Sequence, residues 1–422
     1  MIEQAFYSFF KESTGKTISI QEAAGEGIIH HLTHLEELVL KGQKQGLDLA
    51  VQFINELVRV LEGSTDSKIF TTVKYDGAPA LICGYNPEDG RFFVGTKGVG
   101  AKTAKACYTV QDIATYYSES PGLADKLKLA LLYLPNVIKQ NMYQGDFMFD
   151  KASLSRVNYE GEELITFKPN TITYAVEANS ELGKKVQRAQ IGIVFHTRLT
   201  GPSFKQLKQS PDVSAAEFNQ TPDVWVDDAK FKDMSGLVTL TEQEKKIVEK
   251  SLKFIQNSAK IINWTTLPTT FYIDANTFIN FLIKRGEFVG DLDKNFDDFI
   301  QWFNDRKDAE INNPEKVKTD ATRQKKTENK NKALEFFKQN KLSIINIFSI
   351  TEKIAEIKKI FITKYSNAVK SKQFIAQPDG TLKVTKPEGF VAVDHVGNSI
   401  KLVDRLEFSR ANFAVPREKK FK

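Results

Sequence analysis

The strand-like patterns of this chain fall into two blocks that a long helical stretch separates, and this arrangement most constrains its fold. Short β-rich runs broken by turn residues fill residues 68–200 and return at 380–405, whereas 202–378 carry mostly helical spacings of Phe and Ile. We therefore predict an α+β chain dominated by antiparallel pairs, with a core of residues 66–201 plus 379–410. A large, mainly helical insertion at residues 202–378 would interrupt that core.

The first 65 residues predict a small helical domain. Apolar residues recur at helical spacing from about residue 20 to residue 61, and Gly42 and Gly46 indicate a break between two helices. Three histidines lie in this segment: His30, His31 and His34. Two of them are one helical turn apart, so a metal site is conceivable, but no third ligand is obviously placed. Polar positions on a helix are the favoured interpretation.

Composition excludes several classes of protein. The 41% hydrophobic and 27% charged content is that of a soluble protein, and the net charge of +6 permits a polyanionic partner without requiring one. Cys83 and Cys107 have neither a CxxC partner nor zinc spacing, which indicates a reducing compartment and no structural metal. We find no signal peptide and no membrane-length apolar run, so we expect a cytoplasmic protein that does not bind membranes.

A lysine inside an apolar, strand-like run is the most unusual local feature, in the stretch Val73-Lys74-Tyr75-Asp76-Gly77. Burying a lysine is costly, and Asp76 would project to the same face of an extended chain two residues later. Gly77 then allows a turn or a close approach to a ligand. The pattern could present a reactive amine, although a strand-edge lysine that reaches water, followed by a simple turn, remains open.

The second β block repeats this pattern of charges. Glu388-Gly389 opens a strand, and Lys401 lies in the strand that follows. Lysines and acids on separate strands of both blocks suggest one phosphate site.

A basic segment at residues 314–333 interrupts the helical region. It holds three acids and seven cations: Lys316, Lys318, Arg323, Lys325, Lys326, Lys330 and Lys332. Such a segment could bind nucleic-acid phosphates, yet a solvated linker or an exposed helix is the commoner cause.

The order of these features resembles a known superfamily. Lys74-Tyr75-Asp76-Gly77 is similar to the KxDG nucleophile motif of the covalent nucleotidyltransferases, which include ATP-dependent DNA ligases, RNA ligases and mRNA capping enzymes. The later motifs of that superfamily find counterparts in the same order, and these are Phe93–Gly98, Gln144–Phe147, Thr173–Val176, Glu388–Val391 and Ile400–Val403.

The resemblance implies an antiparallel-sheet, ATP-grasp-like ligase core that uses ATP and Mg²⁺. It implies Lys74 as the nucleophile that forms a lysyl-AMP adduct, with Asp76 and Lys401 as further catalytic residues. It implies Asp146 and Glu388 as metal ligands, because Mg²⁺ prefers oxygen ligands. The nucleotide-binding residues that it implies are Val73, Gly77, Arg91, Lys97 and Tyr174, the last by stacking on adenine.

Three departures from the superfamily pattern affect these contacts. Pro79 stands where an arginine is common, so Arg91 or Lys97 would have to replace that ribose contact. Asp146 replaces the usual glutamate of the third motif. Val403 stands where the fifth motif has a second lysine, for which Arg405 could substitute.

Few residues follow Lys401, so we expect no OB domain at the C-terminus. Such a chain resembles RNA ligases or phage-type polynucleotide ligases, whose helical appendages hold nucleic acid. We therefore expect a monomeric, ATP-dependent polynucleotide ligase that transfers AMP to a 5′-phosphate before a 3′-hydroxyl attacks. Two alternatives stay open, namely an adenylyltransferase with another kind of acceptor and an inactive relative that binds nucleotide or nucleic acid.

Overall fold

A computed structural model describes residues 32–64, 67–101, 103–170, 172–230, 239–290, 292–368, 372–376, 382–385, 387–394 and 397–406. Of the helical pattern expected from residue 20 to residue 61, residues 20–31, with His30 and His31, lie outside these residues. His34, expected on a helix, lies instead on a two-residue strand that pairs with the end of the chain, and the helix begins only at Leu38.

The described strands and helices occur in blocks, and five α-helices follow one another between the strands of residues 224–228 and 372–376. The helices are α1 (Leu38–Leu61), α2 (Val110–Tyr117), α3 (Pro121–Tyr133), α4 (Glu181–Arg188), α5 (Glu242–Ile261), α6 (Thr269–Lys284), α7 (Leu292–Ile311), α8 (Asp320–Gln339) and α9 (Lys341–Ala368). The strands are β1 (Thr33–His34), β2 (Ile69–Lys74), β3 (Ala80–Tyr85), β4 (Phe92–Gly95), β5 (Met142–Asp150), β6 (Ser155–Tyr159), β7 (Glu162–Phe167), β8 (Ile172–Glu177), β9 (Ile191–Thr200), β10 (Lys208–Ser210), β11 (Val224–Asp228), β12 (Lys372–Ala376), β13 (Leu382–Thr385), β14 (Gly389–Asp394) and β15 (Ser399–Val403).

The strands form three sheets, so the predicted α+β class with mostly antiparallel pairs is confirmed. The first sheet has the order β1-β15-β14-β2, the second β10-β9-β5-β3-β4 and the third β13-β12-β8-β7-β6. Only β1 beside β15 and β11 beside β9 run parallel among the described strands. Strands from the end of the chain thus complete two sheets whose other strands lie within residues 33–177.

The first sheet separates the helices from the candidate site. Val73 lies opposite Phe390, and Phe390 lies opposite Leu402, so the three side chains share one face. That face packs against the helices, where the ring of Tyr365 in α9 lies 5.2 Å from that of Phe390. Alternation along the strands turns Lys74 and Lys401 to the other face.

The N-terminal helix and the helices of the insertion share one hydrophobic core, although we had assigned them to separate domains. Residues of α1 pack in the same cluster as residues of α5, α6, α7 and α9, and the helix-facing side of the first sheet closes that cluster. Helical spacing shows which face of a helix is buried, but it does not identify the element that covers it.

The predicted break near Gly42 and Gly46 is present. Gln43 has non-helical backbone angles (φ 53°, ψ −132°) inside α1. An added Cβ on Gly46 would lie 1.9 Å from the carbonyl oxygen of Leu38, so the chain needs glycine at this close approach.

The β structure extends beyond residue 201, which the sequence pattern missed. Val224 and Val226 of β11 are buried, and this strand pairs with β9 over five residues. One alternation of apolar and polar residues over five positions in a polar segment is too weak a signal to distinguish a strand from a loop.

The basic segment forms the loop before α8 and the first part of that helix. Two of its lysines pair with acids of α7, with Lys326 3.0 Å from Glu310 and Lys330 2.6 Å from Asp308. Among the described helices, none is long and apolar enough to cross a membrane.

Candidate active site

Lys74 is the last residue of β2, which is an edge strand of the first sheet. It lies opposite Gly389, and its ammonium contacts the carboxylate of the preceding residue, Glu388. The Lys74 side chain is 25% exposed and that of Glu388 is 8% exposed. Lys74 is therefore reachable from solvent while a buried carboxylate holds it.

Hydrogen bonds of Asp76 connect the chain after Lys74 to the third sheet. Its carboxylate accepts hydrogen bonds from the Asn170 side chain at 2.7 Å and from the Ile172 backbone N–H at 2.9 Å. The backbone N–H of Asp76 donates to the hydroxyl of Tyr174 at 2.7 Å. These bonds give Asp76 a positioning role, because both of its oxygens satisfy neighbouring groups of the fold.

Tyr174 is buried inside an aromatic cluster. Its ring stacks on Phe167 at 5.6 Å between centroids and packs against the tilted ring of Tyr75 at 5.8 Å. Burial raises the pKa of its hydroxyl well above the ordinary value. The structure thus makes Tyr174 a core aromatic that orients the Asp76 backbone, and the ring that we expected to stack on adenine packs against protein.

Asp146, on β5, lies directly against Gly77. A Cβ added to Gly77 would be 2.3 Å from the Cβ of Asp146, so only glycine allows this approach. Backbone hydrogen bonds join the chain between β2 and β3 to β5. The N–H of Phe147 donates to the carbonyl oxygen of Pro79 at 3.0 Å, and the N–H of Ala78 donates to the carbonyl oxygen of Phe147 at 3.1 Å. Pro79, which replaces the expected arginine, belongs to this tight crossing.

The charges of the site act on one another. Burial raises the pKa of Asp146 from 3.8 to about 7; Lys74 opposes this rise, and the nearby Glu388 and Asp76 carboxylates add to it. Burial likewise raises the pKa of Glu388. Burial, followed by the charge of Lys74, lowers the pKa of Lys401. Lys74, Asp146, Glu388 and Lys401 are therefore brought together from strands that are far apart in sequence.

Two of the predicted nucleotide-binding residues lie elsewhere. Arg91 precedes β4 at the Tyr85 end of β3, whereas Asp146 pairs with Ala80 at the other end, about 16 Å away along the strand. The Arg91 guanidinium pairs with Asp89 at 2.8 Å and lies over the ring of Tyr108. The Val73 side chain packs on the helical core, and its backbone N–H donates to Ala229.

The two other proposed replacements differ in position. Lys97 is exposed in the 3₁₀ turn Lys97–Gly100 beyond the end of β4, at the same end of the second sheet as Asp146. Arg405 is buried, where its guanidinium lies 3.1 Å from Glu37 and 2.5 Å from the side-chain oxygen of Asn280. Arg405 therefore belongs to the structural interior and does not substitute for the missing lysine of the fifth motif.

His196 belongs to the site, although the sequence analysis missed it. It lies on β9 where the pairing with β5 shifts register between Gln144 and Gly145. Burial, followed by the charge of Lys74, lowers the pKa of His196 to about 4, and its Nδ1 lies 2.8 Å from the Thr197 hydroxyl. A bulge that re-aims one side chain leaves no periodic signal in the sequence.

Asp146 and Glu388 are the two carboxylates that we expect as metal ligands. No group of three or more metal-binding side chains occurs in the part of the chain that the structure describes. Mg²⁺ is commonly held by one or two carboxylates together with substrate phosphates. Burial raises the pKa of Asp146, and a cation bound beside it would favour the ionised form of its carboxylate.

One family model, described as a family of unknown function (DUF6267), matches residues 30–417. The chain belongs to this family. No curated protein and no solved structure matches the chain. All the site residues described above lie within the DUF6267 match.

Proposed function

We propose that this protein is an ATP-dependent polynucleotide ligase that acts through AMP bound covalently to Lys74. The observation that supports the proposal is the contact between the Lys74 ammonium and the buried Glu388 carboxylate, with Asp146 and Lys401 beside them. A partly exposed lysine among these groups has the partners that an amine nucleophile needs.

The first step would transfer AMP to the lysine. The Lys74 ammonium gives up one proton to Glu388, the carboxylate that it contacts, and the resulting amine nitrogen bonds to the α-phosphorus of ATP. The second proton that this nitrogen loses as the bond forms passes to solvent. The bond from that phosphorus to the oxygen of the β-phosphate breaks, and pyrophosphate leaves. Lys401 supplies a fixed positive charge for the phosphate oxygens.

Asp146 would hold Mg²⁺ together with the substrate phosphates. Of the two carboxylates that we expected as metal ligands, it is the one that remains available, because Glu388 contacts Lys74. The ion would neutralise phosphate charge as the α-phosphorus is attacked.

The second and third steps would use nucleic-acid ends. AMP would pass from Lys74 to a 5′-phosphate, and a 3′-hydroxyl would then displace it. The net charge of +6 and the exposed lysines Lys318, Lys325 and Lys332 before and along α8 are compatible with a polyanionic substrate.

The proposal is tested with α-labelled ATP, Mg²⁺ and 5′-phosphorylated nicked duplexes or single strands. We expect the protein to acquire label, to lose it to the 5′-phosphate and to seal the ends, and we expect the Lys74→Ala variant to do none of these. A label that no nucleic-acid end removes would point to another acceptor. If the wild-type protein acquires no label, the proposed activity is wrong.

A further inference from the structure

His34 lies beside Lys401 on the face of the first sheet that carries Lys74. The short strand β1 pairs in parallel with β15, and this register places His34 opposite Lys401. Lys401 in turn lies opposite Val391, and Val391 lies opposite Thr72, two residues before Lys74 on the same face. The face therefore carries Lys74, Lys401 and His34 in order across the sheet.

The polar atoms of this pair have few partners in the protein. Nδ1 of His34 is buried and makes no hydrogen bond. Within the described ranges, no hydrogen bond or ion pair to the Lys401 ammonium is found, and the residue is only half-buried. Buried polar atoms are normally satisfied, so an unpaired imidazole nitrogen beside a lysine indicates a site for a ligand.

The charges nearby favour an anion. Lys358 pairs with both oxygens of Glu36 at 2.7 Å, whereas Arg405 at 3.1 Å and Lys41 at 3.4 Å share Glu37. Together with Lys401, four cations thus surround two carboxylates. Burial, followed by these positive charges, holds the pKa of His34 well below its ordinary value. A neutral imidazole can donate one N–H to a phosphate oxygen.

We propose that His34 and Lys401 bind the β- and γ-phosphates of ATP, the pair that leaves as pyrophosphate. This inference rests on the proposed function, because it takes Lys74 as the group that attacks the α-phosphate. Adjacent strands are about 4.8 Å apart, so the sheet order places β15 about 10 Å and β1 about 14 Å from β2. The leaving group lies in line with and opposite the attacking atom. We place the phosphate chain from Lys74 towards β15 and β1 because Lys401 and His34 lie on the same face of the sheet in that direction.

The reverse of the first step isolates this subsite. Pyrophosphate added to the adenylylated protein should release ATP, because the phosphorus–nitrogen bond breaks and a pyrophosphate oxygen takes its place. For His34→Ala we expect the half-saturating pyrophosphate concentration to rise about tenfold, since a hydrogen bond to a charged group is lost. Transfer of AMP from the preformed adduct to a 5′-phosphate should be unchanged.

Two further variants control for packing. His34→Gln keeps a side-chain donor and should recover part of the pyrophosphate affinity. Lys44→Ala removes a lysine of α1 that pairs with Asp48 on the helix surface, and it should behave like the wild-type protein. A His34→Ala protein that folds and releases ATP at the wild-type pyrophosphate concentration would overturn the inference.

Calorimetric titration of pyrophosphate into unmodified protein separates this inference from the proposed function. Binding by the wild-type protein that His34→Ala weakens would support the subsite even if no adduct ever forms. Wild-type binding that both His34→Ala and His34→Gln leave unchanged, or no wild-type binding at all, would contradict it.

Discussion

At the scale of single residues, Asp146 is held in an environment that disfavours its charge. It lies against Gly77 and near two other carboxylates, and the charge of Lys74 opposes their effect. Its pKa of about 7 in the folded protein exceeds the ordinary value of 3.8. The folded chain therefore binds this proton more tightly than the unfolded chain does. Asp146 contributes stability below about pH 4, and that contribution is lost as the pH rises through about 7.

The Asp146→Asn variant should therefore become more stable relative to the wild-type protein as the pH rises. Between pH 5 and pH 8, without Mg²⁺, we expect the difference in free energy of unfolding to grow by on the order of 2 kcal/mol in favour of the variant. Urea denaturation at the two pH values measures this difference. The same variant should lose adduct formation, because the proposed metal ligand is removed.

Asp125→Asn provides the matched control for this experiment. The Asp125 side chain is 68% exposed, so the substitution should leave the pH dependence of stability as in the wild-type protein. A constant stability difference between Asp146→Asn and wild-type protein across this pH range would show that Asp146 has an ordinary pKa.

At the scale of elements, the crossing from β2 to β3 determines the geometry of the site. Gly77 passes so close to β5 that no side chain fits between them. Gly77→Ala should displace Lys74 from Asp146 and destabilise the protein by about 1–3 kcal/mol, as overpacking typically does. Thermal unfolding measures the stability, and labelling with ATP measures the adduct, which we expect to be lost.

Gly42→Ala tests whether glycine replacement as such is harmful. A Cβ at Gly42 meets nothing within 4 Å, so this variant should keep its adduct and most of its stability. Equal losses in the two variants would argue against a special role for the Gly77 crossing.

The elements also show why some residues could be predicted and others could not. Lys74, Asp76 and Gly77 form a local pattern, and Glu388 and Lys401 repeat it, so the sequence alone indicated their proximity. Arg91 was wrongly placed at the site because the register of β3 against β5, on which its position depends, is not visible in a single sequence. Tyr174 could be located on a strand, but its aromatic neighbours come from tertiary packing.

At the scale of the whole molecule, a buried ion pair joins the longest helix to the start of the described chain. Lys358 of α9 contacts both carboxylate oxygens of Glu36, and both side chains are almost inaccessible to solvent. The charge of Lys358 acts on His34, which lies opposite Lys401 at the edge of the first sheet. The helical region and the site thus share one protein interior. Helical periodicity could not predict this, because it shows which face of a helix is buried but not which element packs against that face.

Lys358→Met should destabilise the protein by about 3–5 kcal/mol, because the buried Glu36 charge loses the lysine that contacts both of its oxygens and keeps only Arg405 at 3.9 Å. The double variant Glu36→Gln/Lys358→Met removes both charges and should be more stable than the single variant. Urea denaturation of the three proteins gives the comparison. If Lys358→Met is as stable as the wild-type protein, this pair does not hold the helices to the sheet.

The central claim is that Lys74 is a nucleophile, and peptide mapping by mass spectrometry tests it most directly. After incubation with ATP and Mg²⁺, we predict that the peptide containing Lys74 gains the mass of one adenylyl group, which is AMP less one water, and that acid releases AMP as expected for a phosphorus–nitrogen bond. Lys74→Arg keeps the positive charge beside Glu388 and should gain no mass. An unmodified Lys74 peptide in the wild-type protein, or AMP attached to a different residue, would contradict the account.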